Sequence, residues 1–179
     1  ASSWISWVRI WWRFKTKPQG AVEIAVLSRH PKHFQIVLRI LQREHYHGPD
    51  HMKITIVGGG YVGLVTGACF ADTGHDVSII EVDPVKVGII NEKRAPIFEP
   101  GLENILTRTI GKNLRANLSY DSVSTSDLTF ICVGTPPNDD GSANLTYIKS
   151  ASSSIGTALQ NAAGYHVVVV KSTVPPGTT

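Results

Sequence analysis

A short apolar run that ends in a glycine motif is found in the stretch Lys53-Ile54-Thr55-Ile56-Val57-Gly58-Gly59-Gly60-Tyr61-Val62-Gly63. An Ala- and Gly-rich amphipathic segment follows the Gly-x-Gly-x-x-Gly motif. Strand, glycine turn and helix in this order predict a dinucleotide-binding βαβ unit. Gly58 permits the tight turn, Gly60 leaves room for a pyrophosphate, and Gly63 lets the helix lie close to the strand. The helix N-terminus offers unpaired N–H groups and partial positive charge to the phosphates.

Strands and helices alternate along the rest of the chain. The pattern predicts strands at residues 53–57, 76–81, 128–133 and 167–170. It predicts helices at residues 61–73, from Asp83 as N-cap with Pro84 in the first turn, at about 102–110, and at 144–160. Gly74 suits the position that follows a helix. The sequence therefore predicts an α/β fold with a Rossmann-type, doubly wound parallel sheet.

The first 51 residues differ from the remainder in charge and composition. They carry eight Lys/Arg and three Asp/Glu, against nine and eleven in residues 52–179, and they hold all four tryptophans. One interpretation is a basic amphipathic helix on a membrane surface. We favour a poorly ordered or foreign leader, because Met52 stands directly before the first strand. Residues 1–51 are thus predicted to be an extension, and residues 52–179 a domain truncated at its C-terminal side.

Several classes of protein and site do not fit this sequence. It has no run of eighteen apolar residues for a membrane span, and the predicted domain has no excess of basic residues for nucleic acid. Cys69 and Cys132 lie in apolar runs and are interpreted as buried core thiols of a reducing compartment, without a disulfide or metal-ligand spacing. We expect His75 to be structural, in a turn, and His166 to lie on the surface.

Glu81 is the second predicted element of the cofactor site. It ends the second strand, eighteen residues after Gly63, where a carboxylate can accept hydrogen bonds from both hydroxyls of the adenosine ribose. The same charge repels a 2′-phosphate, so NAD is favoured over NADP. Asp83 is a competitor that resembles a helix cap. Lys86, one turn into that helix, either reaches the cofactor or is solvated.

Two further loops follow buried strands at the carboxyl edge of the predicted sheet, where open α/β sheets bind ligands. One contains Val133, Gly134, Thr135 and Pro136, and the other begins with Lys171, Ser172 and Thr173. Taken by themselves, these loops are equally consistent with an ordinary strand-to-helix turn and with hydroxyl caps.

Residues 52–179 resemble the UDP-glucose/GDP-mannose dehydrogenase family. The resemblance rests on Gly-Tyr-Val-Gly, Glu-Pro-Gly-Leu, Val-Gly-Thr-Pro and Lys-Ser-Thr-Val-Pro in this order, at residues 60–63, 99–102, 133–136 and 171–175. It implies an NAD-dependent dehydrogenase that oxidises the C6 alcohol of a nucleotide sugar to the carboxylate with two NAD. UDP-glucose is the substrate first expected. Substrates of other members, GDP-mannose or UDP-N-acetylmannosamine, are alternatives, and a non-catalytic NAD-sensing module is another.

The resemblance also assigns roles to residues. It implies that Thr173 helps to position a catalytic water. It implies that NAD is held by Gly58, Gly60, Tyr61, Val62, Gly63, Glu81, Val133, Gly134, Thr135, Pro136, Ser172 and Thr173. Lys86 is included as a further candidate contact because of its position in the chain.

The family's nucleophilic cysteine and its helper residues lie in a second half that this sequence does not contain. The chain alone is therefore expected to be inactive. The resemblance implies that the whole enzyme is a cytoplasmic homodimer or larger oligomer.

Overall fold

The computed structural model describes the backbone of Val22–Val26 and all of residues 51–160, 162 and 164–179. In these residues, six parallel strands form one sheet in the order β1-β6-β5-β2-β3-β4. The strands are β1 (Val22–Val26), β2 (Lys53–Val57), β3 (Asp76–Ile80), β4 (Leu114–Asn117), β5 (Leu128–Ile131) and β6 (His166–Val170).

Helices cover both faces of the sheet. They are α1 (Tyr61–Asp72), α2 (Pro84–Asn91), α3 (Leu102–Thr109) and α4 (Thr146–Leu159), with a short 3₁₀ helix at Asp121–Thr125. The connection from β2 to β3 runs across the sheet in the direction opposite to that from β5 to β6. Since such crossovers are right-handed, α1 and α4 pack on opposite faces. Two apolar clusters result, one beneath α1, α2 and α3 and one beneath α4. The predicted doubly wound α/β fold is confirmed.

The central strands are buried on both faces. Ile54 and Ile56 of β2 and Phe130 of β5 are at most 1% exposed. A strand covered on both sides must be apolar at successive positions, which is why β2 and β5 could be predicted from short continuous apolar runs.

The predicted helix ends at Asp83 and Gly74 are also confirmed. The Asp83 side chain accepts hydrogen bonds from the amides of Val85 and Lys86, and thereby caps α2. Gly74, one residue beyond the C-cap Thr73, has a φ of +101°, a conformation that glycine adopts without strain. Within the described part of the chain, no helix has the length and apolarity needed to cross a membrane.

Two strands were not predicted. β4 has only two buried positions, and its edge is completed by the Asn91 side chain, which accepts from the Ala116 amide and donates to the Ala116 carbonyl, both at 3.0 Å. β1 pairs with β6 from within the predicted extension, through a contact between distant parts of the sequence. The rest of the extension, His51 excepted, lies outside the described residues. The division at residue 52 stays a prediction.

The expected exposure of two residues was wrong. His166 is 2% exposed, because its Nδ1–H donates to the Ser126 carbonyl at 2.8 Å and its Nε2 accepts from the Thr129 hydroxyl at 2.9 Å. Burial lowers the pKa of His166, although the bond to Ser126 opposes this. Cys69 is exposed, since it lies on the outer side of α1, whereas Cys132 is buried as predicted. An Ala- and Gly-rich helix does not indicate by composition which side faces solvent.

His75 has the structural role predicted for it. Its Nδ1 accepts a hydrogen bond from the Met52 amide at 3.3 Å, and its ring packs edge-on against Phe70.

Candidate cofactor site

The predicted site residues gather at the carboxyl edge of the sheet. β2 and β5 lie side by side, and the chain leaves β2 toward β3 and leaves β5 toward β6. This is the point where the strand order reverses and where open α/β sheets bind ligands. The segments after the four strands β3, β2, β5 and β6 therefore lie in a row, with Glu81, the glycine turn, residues 133–136 and residues 171–174 at successive positions.

The three glycines of the motif meet different surroundings. Gly58 has a φ of +106°, and a Cβ there would lie 2.8 Å from the Cys132 carbonyl oxygen. A Cβ on Gly63 would lie 1.8 Å from the Gly58 carbonyl oxygen, so α1 contacts the turn directly. A Cβ on Gly60 would have no described heavy atom within 4 Å. Gly58 and Gly63 are thus required for packing, whereas the space beside Gly60 is open to a ligand.

The N-terminus of α1 is uncapped. Gly60 is the N-cap residue, and no described side chain bonds to this helix end. Among the described residues, the amides of Tyr61, Val62 and Gly63 have no hydrogen-bond partner. α2 begins nearby with Asp83 bonded to its first amides. Free amides and a helix dipole at the start of α1 are the features that favour the binding of a phosphate-sized anion.

Glu81 lies beside this helix end and is held by backbone amides. It is 7% exposed; its Oε2 accepts from the Gly59 amide at 2.9 Å, and its Oε1 accepts from the amides of Val82 and Asp83 at 2.8 and 3.1 Å. A carboxylate offers about four acceptor positions. In this conformation Oε2 therefore has room for about one ribose hydroxyl, rather than the two expected from the position of Glu81 in the sequence.

Gly59 was not singled out by the motif, which leaves its position variable. A Cβ on Gly59 would lie 3.1 Å from Glu81 Oε2 and 3.1 Å from Glu81 Cβ. The lack of a side chain at Gly59 lets the carboxylate lie against the turn. The sequence signal was present as three consecutive glycines.

Lys86 lies in the first turn of α2 and is half-buried. Its ammonium group forms no salt bridge with any described residue. It is thus a cation on the helix that follows Glu81, without a salt-bridge partner in the described part of the chain, and its contact with the cofactor stays a prediction.

The loops after β5 and β6 are joined to each other. The Lys171 amide donates to the Ile131 carbonyl at 2.8 Å, and the Ser172 hydroxyl donates to the Val133 carbonyl at 2.7 Å. Gly134 and Thr173 are exposed, and Thr135 is half-buried. Cys132 lies beneath this loop, where burial raises its pKa to about 12. Its thiol is therefore protonated at neutral pH and is not a nucleophile.

A contact that the sequence did not predict joins Tyr61 to the loop between α2 and α3. The Tyr61 hydroxyl donates to the Glu99 carboxylate, and this bond raises the pKa of Tyr61 because it favours the protonated phenol. Glu-Pro-Gly-Leu was noted only as a family motif. Its glutamate lies over the start of α1.

In the described part of the chain, no three His, Cys, Asp or Glu residues are grouped so that they could hold a metal ion. The chemistry of the site therefore rests on backbone amides, one buried carboxylate and hydroxyl groups.

Comparisons with known proteins agree with this geometry. Residues 52–179 match the model of the UDP-glucose/GDP-mannose dehydrogenase family, NAD binding domain. UDP-glucose 6-dehydrogenase AglM of Haloferax volcanii is 44% identical over 128 residues, which are 72% of this chain and 30% of that protein.

Two solved structures have the same fold. A UDP-glucose dehydrogenase from Pyrobaculum islandicum is 42% identical with a TM-score of 0.70, over 74% of this chain and 31% of that one. A ternary complex of GDP-mannose dehydrogenase from Pseudomonas aeruginosa is 41% identical with a TM-score of 0.69, over 71% and 30%. The chain spans about 30% of the length of most of the curated relatives that it matches.

Proposed function

Because the chain belongs to the UDP-glucose/GDP-mannose dehydrogenase family and matches its NAD-binding domain, we propose which of its residues hold the cofactor. NAD is the cofactor of this domain. The start of α1, at Gly60, Tyr61 and Val62, binds the pyrophosphate. Glu81 accepts a hydroxyl of the adenosine ribose, and Lys86, in the first turn of the next helix, is proposed to contact the cofactor. The nicotinamide half extends over residues 133–136 and 172–173.

The observation that carries this proposal is the contrast between the two helix starts. The free amides of α1 attract the pyrophosphate, and the Glu81 carboxylate next to them is held in place by the Gly59 amide. A 2′-phosphate would bring negative charge against a buried carboxylate. Discrimination against NADP follows from that repulsion.

We infer that the whole protein oxidises the C6 alcohol of a nucleotide sugar to the carboxylate, using two NAD. UDP-glucose is the first candidate substrate, because a UDP-glucose 6-dehydrogenase is 44% identical to the chain. GDP-mannose follows closely, since a GDP-mannose 6-dehydrogenase of Pseudomonas savastanoi is 42% identical. We further propose that the whole enzyme is a cytoplasmic homodimer or larger oligomer.

When bound by these residues, NAD would supply the hydride acceptor for each oxidation step. The part of the mechanism that this chain supplies is to orient the cofactor at the sheet edge and to offer hydroxyl groups beside it. The Thr173 hydroxyl, which is exposed at this edge, is proposed to hold a water molecule for the second step, since it can donate and accept at once. A covalent step at sulfur needs another cysteine, because Cys132 is buried and Cys69 lies on the outer side of α1.

The proposal is tested by titrating the 179-residue chain with NAD and NADP in a calorimeter. We expect NAD to bind and NADP to bind about tenfold more weakly or worse. Glu81→Gln removes the charge, so it should weaken NAD binding and bring the two affinities within about threefold of each other. Gly156→Ala is the control, because a Cβ there meets no described atom within 4 Å and lies on the far half of α4.

Two outcomes contradict the proposal. Failure of the wild-type chain to bind NAD would contradict the assigned cofactor site. Formation of NADH from UDP-glucose by the purified chain would show that the chain is not limited to binding the cofactor.

A further inference from the structure

The ladder between β5 and β6 ends in an unusual way at the candidate site. Its last backbone bond runs from the Lys171 amide to the Ile131 carbonyl. In a parallel ladder the next donor is two residues further along, which is the Thr173 amide, and the next acceptor is the Val133 carbonyl. Among the described residues, the Thr173 amide makes no hydrogen bond.

The Ser172 side chain donates to the Val133 carbonyl, which receives no hydrogen bond from the backbone of β6. Its hydroxyl lies 2.7 Å from the Val133 carbonyl oxygen and 3.3 Å from the Ile131 carbonyl oxygen. The two strands therefore stay joined for one more step while their backbones separate. In the loop that follows β5, the amides of Gly134 and Thr135 have no partners in the described structure.

We propose that Ser172 is a positioning residue for the nicotinamide half of the cofactor site, and that it acts by fixing the loop of residues 133–136 through the Val133 carbonyl. This inference rests on the proposed function. It differs from the role that the family resemblance implies for Ser172, which is direct contact with NAD. The single hydroxyl proton is already donated to Val133, so Ser172 can only accept from a ligand.

The position of the loop determines which part of the cofactor would bind more weakly if the Ser172–Val133 hydrogen bond were lost. Glu81 lies beyond β3, on one side of the glycine turn, and residues 133–136 lie beyond β5, on the other side. A dinucleotide that places its adenosine ribose at Glu81 and its pyrophosphate at α1 must extend its second nucleoside over β5 and β6. Loosening residues 133–136 should therefore weaken the binding of NAD and leave the binding of ADP unchanged.

The test compares NAD and ADP binding in variants of the full chain by calorimetry. We expect Ser172→Ala to weaken NAD binding about five- to tenfold, the scale of one hydrogen bond, and to change ADP binding less than about twofold. Ser172→Thr retains a hydroxyl and should restore NAD binding. The matched control is Thr157→Ala, which removes a hydroxyl that donates to the Ser153 carbonyl at 3.1 Å on the exposed side of α4.

Three results would overturn the inference. Ser172→Ala could bind NAD as tightly as wild type, it could lose NAD and ADP binding equally, or Ser172→Thr could fail as Ser172→Ala does. A wild-type chain that binds neither ligand contradicts the proposed function itself, and this inference with it. If Ser172→Ala does not fold, Ser172→Cys gives the same comparison, since a thiol of similar size is only a weak donor.

Discussion

At the scale of single residues, different glycines of the turn serve packing and ligand binding. Gly63 touches the turn that precedes it, with a hypothetical Cβ 1.8 Å from the Gly58 oxygen, while Gly60 faces open space. Two residues of one motif thus have different physical reasons to be glycine. Gly63 allows the helix to pack, and Gly60 leaves the helix end accessible.

Gly63→Ala should therefore mainly reduce stability, and Gly60→Ala should mainly reduce NAD binding. The first must move α1 away from β2, and we expect it to lower the free energy of unfolding by about 3 kcal/mol or more. The second should lower it by about 1 kcal/mol or less, yet remove most NAD binding, because a methyl group would stand where we propose that the pyrophosphate binds. Urea unfolding and NAD titration of both variants check this. A Gly63→Ala variant as stable as wild type would contradict the packing role.

At the scale of secondary-structure elements, α1 and α2 begin at the same sheet edge but differ in how their first backbone amides are bonded. Asp83 satisfies the first amides of α2, and the first amides of α1 stay free. A glycine N-cap in place of a capping side chain makes a helix less stable by roughly a few tenths of a kcal/mol. α3 and α4 also begin without a side-chain cap, but only the uncapped start of α1 follows the glycine turn and faces the proposed cofactor.

Adding a capping side chain to α1 and removing the one on α2 should change stability in opposite directions. Gly60→Asp places a carboxylate on the amides of α1, so we expect it to raise the free energy of unfolding by about 1 kcal/mol and to abolish NAD binding. Asp83→Ala should lower the free energy of unfolding by about 1 kcal/mol and change NAD affinity less than about threefold. Chemical denaturation with parallel titrations measures both effects. Retention of NAD binding by Gly60→Asp would argue against a pyrophosphate at α1.

The elements that the sequence predicted are those with a local signal. β2 and β5 are apolar throughout, and α2 carries Asp83 and Pro84 at its start, so each element could be recognised without its neighbours. β4 and β1 depend on pairing with β3 and β6, which the sequence does not display. The positions of Glu81 and Ser172 could be predicted in the same way. Their partners, Gly59 and Val133, could not, because those bonds arise only when separate strands meet.

At the scale of the whole molecule, buried His166 links stability to pH. The ring joins the start of β6 to Ser126 and Thr129, with Asp127 as the nearby charged group. Its pKa in the folded chain is below the unfolded value of about 6.5, because burial disfavours the imidazolium. Below about pH 6.5 the unfolded chain binds a proton that the folded chain resists. Stability should then fall as pH falls.

Urea unfolding between pH 7.5 and 5.0 measures this loss. The wild-type free energy of unfolding should decrease toward pH 5, and His166→Gln should show a smaller decrease. His75, whose pKa burial also lowers, accounts for part of the remainder. NMR titration of His166 in the wild-type chain gives an independent check that does not depend on a variant. A His166 pKa at or above 6.5 in the folded chain would contradict the prediction.

Because the two cysteines differ in exposure, thiol labelling can measure how often the folded chain opens. Cys69 and Cys132 are the only thiols in the sequence, and one lies on the outer side of α1 while the other lies under the β5 loop. A maleimide dye should label Cys69 in the native protein, so a single fluorophore can be placed without mutagenesis. Once Cys69 is blocked, any further alkylation must occur at Cys132. The rate of Cys132 alkylation then measures how often the region beneath the β5 loop becomes accessible. Added cofactor should lower this rate.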